Sequence, residues 1–282
     1  MSTSETAITK RNGQETYPLY SWNTSSPCRL WYITDLDAAN WFLSVLPHGP
    51  VGFDLEWKPC YAKDQPENRV ALIQLAAADC VLLLHVHRMR GIPSKIRDVL
   101  NGSQWTKLGV NIQYDCKKLH KDFNLHVRNC VDLSLMARSV DNARWKGRYT
   151  NPIGLARLLE TYDGTTLSKG KVQRSNWELL LTHAANDAHA AYTIYIRLQE
   201  MAQTMIPSPH LDWYSFSCVG GDMFDRLGHS AWTPTNPNYD PGPPPPPKDK
   251  CSKDDQNSLE LANSVPTIAG AVASLAESSV TP

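Results

Sequence analysis

Between residues 28 and 205 the chain alternates short apolar runs with amphipathic stretches, and outside those limits the periodicity stops. RLWYIT (29–34) has the apolar and aromatic character of a strand, and Asp35 is placed to cap the helix DAANWFLSVL that follows. Gly49-Pro50 ends that helix, and VGFDLEW (51–57) is a second strand. VALIQLA (70–76) and CVLLLHV (80–86) are two further apolar runs split by the turn-like AADC. Helices and short strands then interleave through PSKIRDVL, WTKLGVN, CKKLHKDFNL, VDLSLMARSV, GLARLLETY and AANDAHAAYTIYIRLQEMA. Strands first and helices later predict an α/β fold, a mixed β-sheet flanked by helices. The pattern divides the chain into a flexible polar lead (1–27), one domain (28–205) and a Pro-rich, mostly disordered tail (206–282). Within the tail, Pro243 to Pro247 form a run that suits an SH3 or WW-type partner, or a stiff spacer.

Composition adjusts this picture only slightly. Formal net charge is zero, so no global basic field points to nucleic acid. The seven cysteines are scattered and form no CxxC pair, which disfavours both a disulfide framework and a zinc site. The opening MSTSETAITKRNGQE carries two acids and no apolar core, unlike a secretory signal. No apolar run approaches the roughly 18 residues of a membrane span. The expectation is an intracellular protein of nucleus or cytoplasm, neither secreted nor in a membrane.

The chemistry lies in the acids. Asp54 and Glu56 are two apart on a strand, so period-two geometry sets them side by side while Phe53, Leu55 and Trp57 turn to the core. Two adjacent carboxylates repel, and a divalent cation with a preference for hard oxygen ligands, Mg²⁺ or Mn²⁺, resolves the repulsion. Taken singly, DxE also fits a solvated acidic pair. Asp115 opens a helix, where an acid also serves as a first-turn residue favoured by the helix dipole. Asp187 lies in an alanine-rich helix and shares a face with His183 four residues earlier.

Together the segments VGFDLEW, ALIQLA, GVNIQYDCKKL, RSNW and HAANDAHAAYTIY resemble, in order and spacing, the exonuclease domains of the DEDD superfamily, in the group of the Werner syndrome helicase exonuclease and ribonuclease D. The resemblance covers roughly residues 30 to 200. It implies a ribonuclease H-like sheet with helices on both faces. It also implies a 3′–5′ exonuclease that hydrolyses terminal phosphodiester bonds by a two-metal mechanism and releases nucleoside 5′-monophosphates. Asp54, Glu56, Asp115 and Asp187 match the family's metal-binding acids, expected to hold two divalent ions, Mg²⁺ or Mn²⁺. The family's third motif carries a tyrosine where His183 stands here, and only ELLLT separates Trp177 from His183, fewer residues than in relatives. Histidine titrates near neutrality and suits a general base.

Between Arg138 and Arg174 eight basic residues face three acids, with Trp145, Tyr149 and Trp177 interleaved. Such a stretch suits a phosphate backbone with stacked bases. Lys171, Arg174 and Trp177, in the part resembling the family's SNW motif, are the expected contacts to single-stranded or 3′-ended DNA or RNA. The competing reading is a weakened or inactive nuclease-like module that binds nucleic acid or a partner, and it rests on His183 and the short connection. An endonuclease on the same fold is a third reading.

Overall fold

The computed structural model describes residues 9–11, 14–24, 28–60, 65–168 and 177–244. All the elements below belong to the unit Met1–Pro243. Ten strands are present among the described residues. β1 (Thr9–Arg11) and β2 (Gln14–Thr16) form a separate antiparallel pair. The other eight, β3 (Arg29–Ile33), β4 (Gly49–Glu56), β5 (Leu72–Ala76), β6 (Cys80–Leu84), β7 (Trp105–Gly109), β8 (Val127–Asp132), β9 (Ser215–Val219) and β10 (Asp222–Phe224), make one mixed sheet. Its order is β10-β9-β8-β7-β4-β5-β6-β3. The pairs β3–β6, β4–β7 and β7–β8 are parallel and the rest antiparallel.

Among the described residues seven α-helices accompany it: α1 (Leu36–Ser44), α2 (Val86–Met89), α3 (Ile96–Asn101), α4 (Ile112–Phe123), α5 (Leu133–Val140), α6 (Leu155–Tyr162) and α7 (Trp177–Thr204). Asp35 caps α1 as expected, accepting from the amides of Asp37 and Ala38. Strand alternation sends Phe53, Leu55, Ile73, Leu75, Leu82 and Leu84 into a core shared with α1, α3 and α4. The opposite positions Leu72, Ala76, Val81 and Leu83 pack against Ala184, Ala185 and Ala188 of α7. A third cluster joins Leu108 and Val131 to α5, α6 and the later part of α7. The helices thus cover both faces, the layering expected of a ribonuclease H-like sheet.

Three sequence-based expectations are corrected. NIQY is not a turn before a helix, because α4 begins at Ile112 and only Asn111, at φ 54°, breaks the backbone. The boundary at 205/206 fails, since β9 and β10 extend the sheet on β8 through a hairpin turned at Gly220-Gly221. The residues after them also pack on the body. Tyr239 donates to the Trp145 carbonyl (2.7 Å) and receives a bond from Arg138 (2.8 Å), and Lys146 pairs with Asp240 at 2.7 Å. Proline suits this extended segment because it needs few backbone donors. Finally, the lead is not uniformly free, because Tyr20 is buried and bonded to α7. Pro245 to Pro247 of the polyproline run lie outside the described residues.

The seat of α7 on the sheet depends on Gly52. A Cβ there would lie 1.9 Å from the carbonyl oxygen of Ala188, so the helix backbone occupies the space a side chain would need. Backbone cannot swing aside as a flexible side chain can. Gly52→Ala is therefore expected to destabilise the protein by about 1–3 kcal/mol or more, read as a lower urea midpoint with an unchanged slope.

Candidate metal centre

Four carboxylates converge between β4, α4 and α7. Asp54 and Glu56 stand on the α7 side of β4, two residues apart, as strand geometry requires. Gly52 is one further step along the same face, and its contact with Ala188 brings the neighbouring Asp187 over the strand. One ligand oxygen from each of Asp54, Glu56 and Asp187 lies within 4.8 Å of the others. Asp115, in the first turn of α4, lines a cleft of about 350 Å³ together with Asp54 and Asp187. Gly109 and Val110, Gly154, Leu155 and Ala156 at the start of α6, Leu167, and Ala191 complete much of its wall.

The electrostatics of this group are unfavourable without a counter-charge. Burial, then the charges of Asp115, Asp187 and Glu56, hold the Asp54 carboxyl well above the usual range. Burial alone raises Glu56. Burial, with a smaller contribution from Glu56, pushes both Asp115 and Asp187 up to about 7. Among the described residues no lysine or arginine forms an ion pair with any of the four. Clustered, part-buried carboxylate oxygens lacking a cationic partner fit a divalent cation of the Mg²⁺ or Mn²⁺ type. Gln74, directly across from Asp54 on β5 and fully buried, adds to this fit: neither its amide oxygen nor its amide nitrogen has a hydrogen-bond partner. A buried orphan amide beside an acidic cluster marks a place where polar ligation is incomplete.

The remaining sequence candidates fall differently. His183 lies in α7 one turn before Asp187 and is half-buried, but it is not among the residues that line the cleft. The short ELLLT connection does not delay the helix, which runs unbroken from Trp177. Lys171 and Arg174, and the side chain of Trp177, lie outside the described residues. Of the aromatic and basic residues upstream, Tyr149 and Arg138 are buried and serve the fold, whereas Arg144, Lys146 and Arg148 are exposed. Tyr149 is buried and bonded to Ser139 and the Trp213 carbonyl, and Trp145 donates to Tyr162. Arg138 is buried among the carbonyls of Lys146 and Asn151, and Arg144, Lys146 and Arg157 pair with acids. Sequence reasoning passed over Gly52 and Gln74. The glycine could be read from its period-two offset to Asp54, whereas the glutamine resembles any polar interruption of an apolar strand.

Because these carboxyls are raised in the fold, their contribution to stability is fully present below about pH 4 and is lost as pH rises through about 7. The metal-free protein is therefore expected to melt at a lower temperature at pH 8 than at pH 5. Asp187→Asn should flatten that difference, and Mn²⁺ should raise the melting temperature more at pH 8 than at pH 5. A pH-independent Mn²⁺ effect in differential scanning calorimetry would contradict the assignment.

Known proteins give the same reading of the fold. The 3′–5′ exonuclease family model matches residues 31–203. Within curated proteins, the chain is 33% identical over 162 residues to the mouse bifunctional 3′–5′ exonuclease/ATP-dependent helicase WRN, covering 55% of this chain and 11% of that one. It is 29% identical over 161 residues to an Arabidopsis thaliana 3′–5′ exonuclease, covering 54% and 53% respectively. The chain thus spans about half, or less, of the length of these relatives. Among solved structures, the EXO domain of Aedes aegypti Nibbler superposes with a TM-score of 0.52 at 25% identity, over 62% of this chain and 88% of that one. The catalytic core of Trypanosoma brucei RRP6, at 20% identity, shares the fold with a TM-score of 0.52 over 67% and 51%. With its acids gathered on that fold and the family model matched from β3 through α7, the chain belongs to the 3′–5′ exonuclease family.

Proposed function

We propose that the protein is a metal-dependent 3′–5′ exonuclease that removes nucleoside 5′-monophosphates from the 3′ end of a nucleic-acid strand. The observation that carries this reading is the grouping of Asp54, Glu56 and Asp187 within 4.8 Å at a cleft that Asp115 also lines, in a chain of the exonuclease family. Asp54, Glu56 and Asp187 would hold one divalent ion, and Asp54 with Asp115 a second. Bound there, such ions supply Lewis-acid neutralisation of the scissile phosphodiester.

The chain's own groups do the rest. Four carboxylates offset the charge of two divalent ions, so the site as a whole stays near neutral before the phosphate enters. The first turn of α6, at Leu155 and Ala156, lines the cleft, and first-turn N–H groups lack intrahelical acceptors, which favours a phosphate oxygen nearby. His183 takes the proton of the attacking water in this reading, from its place one turn ahead of Asp187. Lys171, Arg174 and Trp177 are assigned to the approaching strand, through phosphate contact and base stacking.

Incubation of the purified protein with a 5′-labelled single-stranded oligonucleotide and Mg²⁺ or Mn²⁺ tests this. The expected product is a ladder receding from the 3′ end, with free nucleoside 5′-monophosphate. Asp54→Ala should lower the rate by more than about 100-fold, since even outer partners of a metal site cost about 10–100-fold. His183→Ala should lower kcat and leave KM nearly unchanged, and full activity in that variant would remove histidine from the mechanism. Internal cuts would indicate an endonuclease, and binding without cleavage a nuclease-like binding module.

A further inference from the structure

One part of the molecule outside the acid cluster is bonded to two elements that carry residues of the cleft wall. The segment 17–24 comes from the polar start of the chain, yet its Tyr20 is only 5% exposed. Its backbone is tied to the loop after α6: the Tyr20 amide donates to the Thr166 carbonyl, and the Thr166 amide donates to the Pro18 carbonyl, both at 2.9 Å. Its side chain is tied to α7, with the hydroxyl 2.5 Å from His189 Nδ1 and 2.7 Å from Thr193 Oγ1. Two residues on, the Trp22 amide donates to the Asn186 side-chain oxygen at 2.9 Å.

The positions of these partners matter. Asn186 immediately precedes Asp187 and His189 lies two residues after it, and Thr166 immediately precedes Leu167. Leu167 and Asp187 both line the cleft, on different elements. The loop is fixed again by the Thr166 hydroxyl, which donates to Glu160 at 2.8 Å. Packing alone would require only the aromatic ring of Tyr20, since phenylalanine fills nearly the same volume. The hydroxyl adds two short directional contacts to the helix that carries a proposed metal ligand, and hydrogen-bond geometry fixes orientation as burial does not.

We propose that Tyr20 is a positioning residue that couples the loop carrying Leu167 to the helix carrying Asp187, so that the two walls of the cleft keep one spacing. Its effect on turnover rests on the exonuclease reading, but the coupling itself does not. A displacement of about 1 Å at a reacting centre can cost about 100-fold in rate, which gives such a tie its leverage.

The test uses the full chain and Tyr20→Phe, which keeps the ring and removes the hydroxyl. Hydrogen-exchange mass spectrometry on the metal-free protein should show faster exchange in two places at once, the 163–168 loop and the 184–193 stretch of α7, with β5 unchanged. Mn²⁺ affinity, measured by calorimetry, should fall by about 10-fold, with a similar loss in kcat and little change in KM. Thr193→Val should reproduce the α7 effect, whereas Thr193→Ser, which keeps a hydroxyl, should not. Wild-type exchange in Tyr20→Phe, or loosening of only one of the two segments, overturns the proposal. Coupled loosening in a protein that cleaves no nucleic acid would leave the tie in place and refute the exonuclease reading instead.

Discussion

The site depends on how closely α7 can approach β4. At Gly52 the helix backbone comes within the volume of a methyl group, and the stripe of Ala184, Ala185 and Ala188 lets the helix lie flat on the sheet around that point. Small residues on both sides exchange side-chain packing for proximity. The consequence is chemical: Asp187, next to Ala188, is delivered to the face of β4 from which Asp54 and Glu56 project. A larger residue at Gly52 would separate the acids by the width of the side chain, whatever their own identities.

That proximity creates an electrostatic cost which the fold does not itself relieve. Hydrophobic layers on either side remove water from the carboxylates, and like charges add to the penalty. A protein selected for stability alone would place an arginine or an amide donor there. Gln74, its amide unbonded across from Asp54, shows that the neighbouring strand supplies a polar group without completing the site. Divalent cations held as proposed would supply the missing favourable interaction.

Much of this was legible in the sequence, for local reasons. The offset of two between Asp54 and Glu56 on an apolar strand, and the alanine-rich setting of Asp187, state their facing directly. Asp115 was legible as a helix-opening acid, although its helix starts three residues earlier than the pattern suggested. What the sequence hid was long-range. Ser215–Val219 reads as a short run stranded among prolines and glycines, and only its pairing with β8 makes it a strand. Tyr20 sits in a polar stretch with no periodicity, and its partners lie 169 and 173 positions away. Tyr149 and Arg138 resembled ligands for nucleic acid because aromatic and basic residues serve interiors and interfaces equally well, and composition does not tell them apart.

In the proposed function the juxtaposed acids of β4 and α7 are a divalent-metal site. Anomalous diffraction from crystals of the protein equilibrated with saturating Mn²⁺ tests it most directly. The predicted result is a manganese peak ligated by Asp54, Glu56 and Asp187, lost in the Asp187→Asn variant. Manganese bound only elsewhere on the protein, with those three carboxylates unligated, would contradict it.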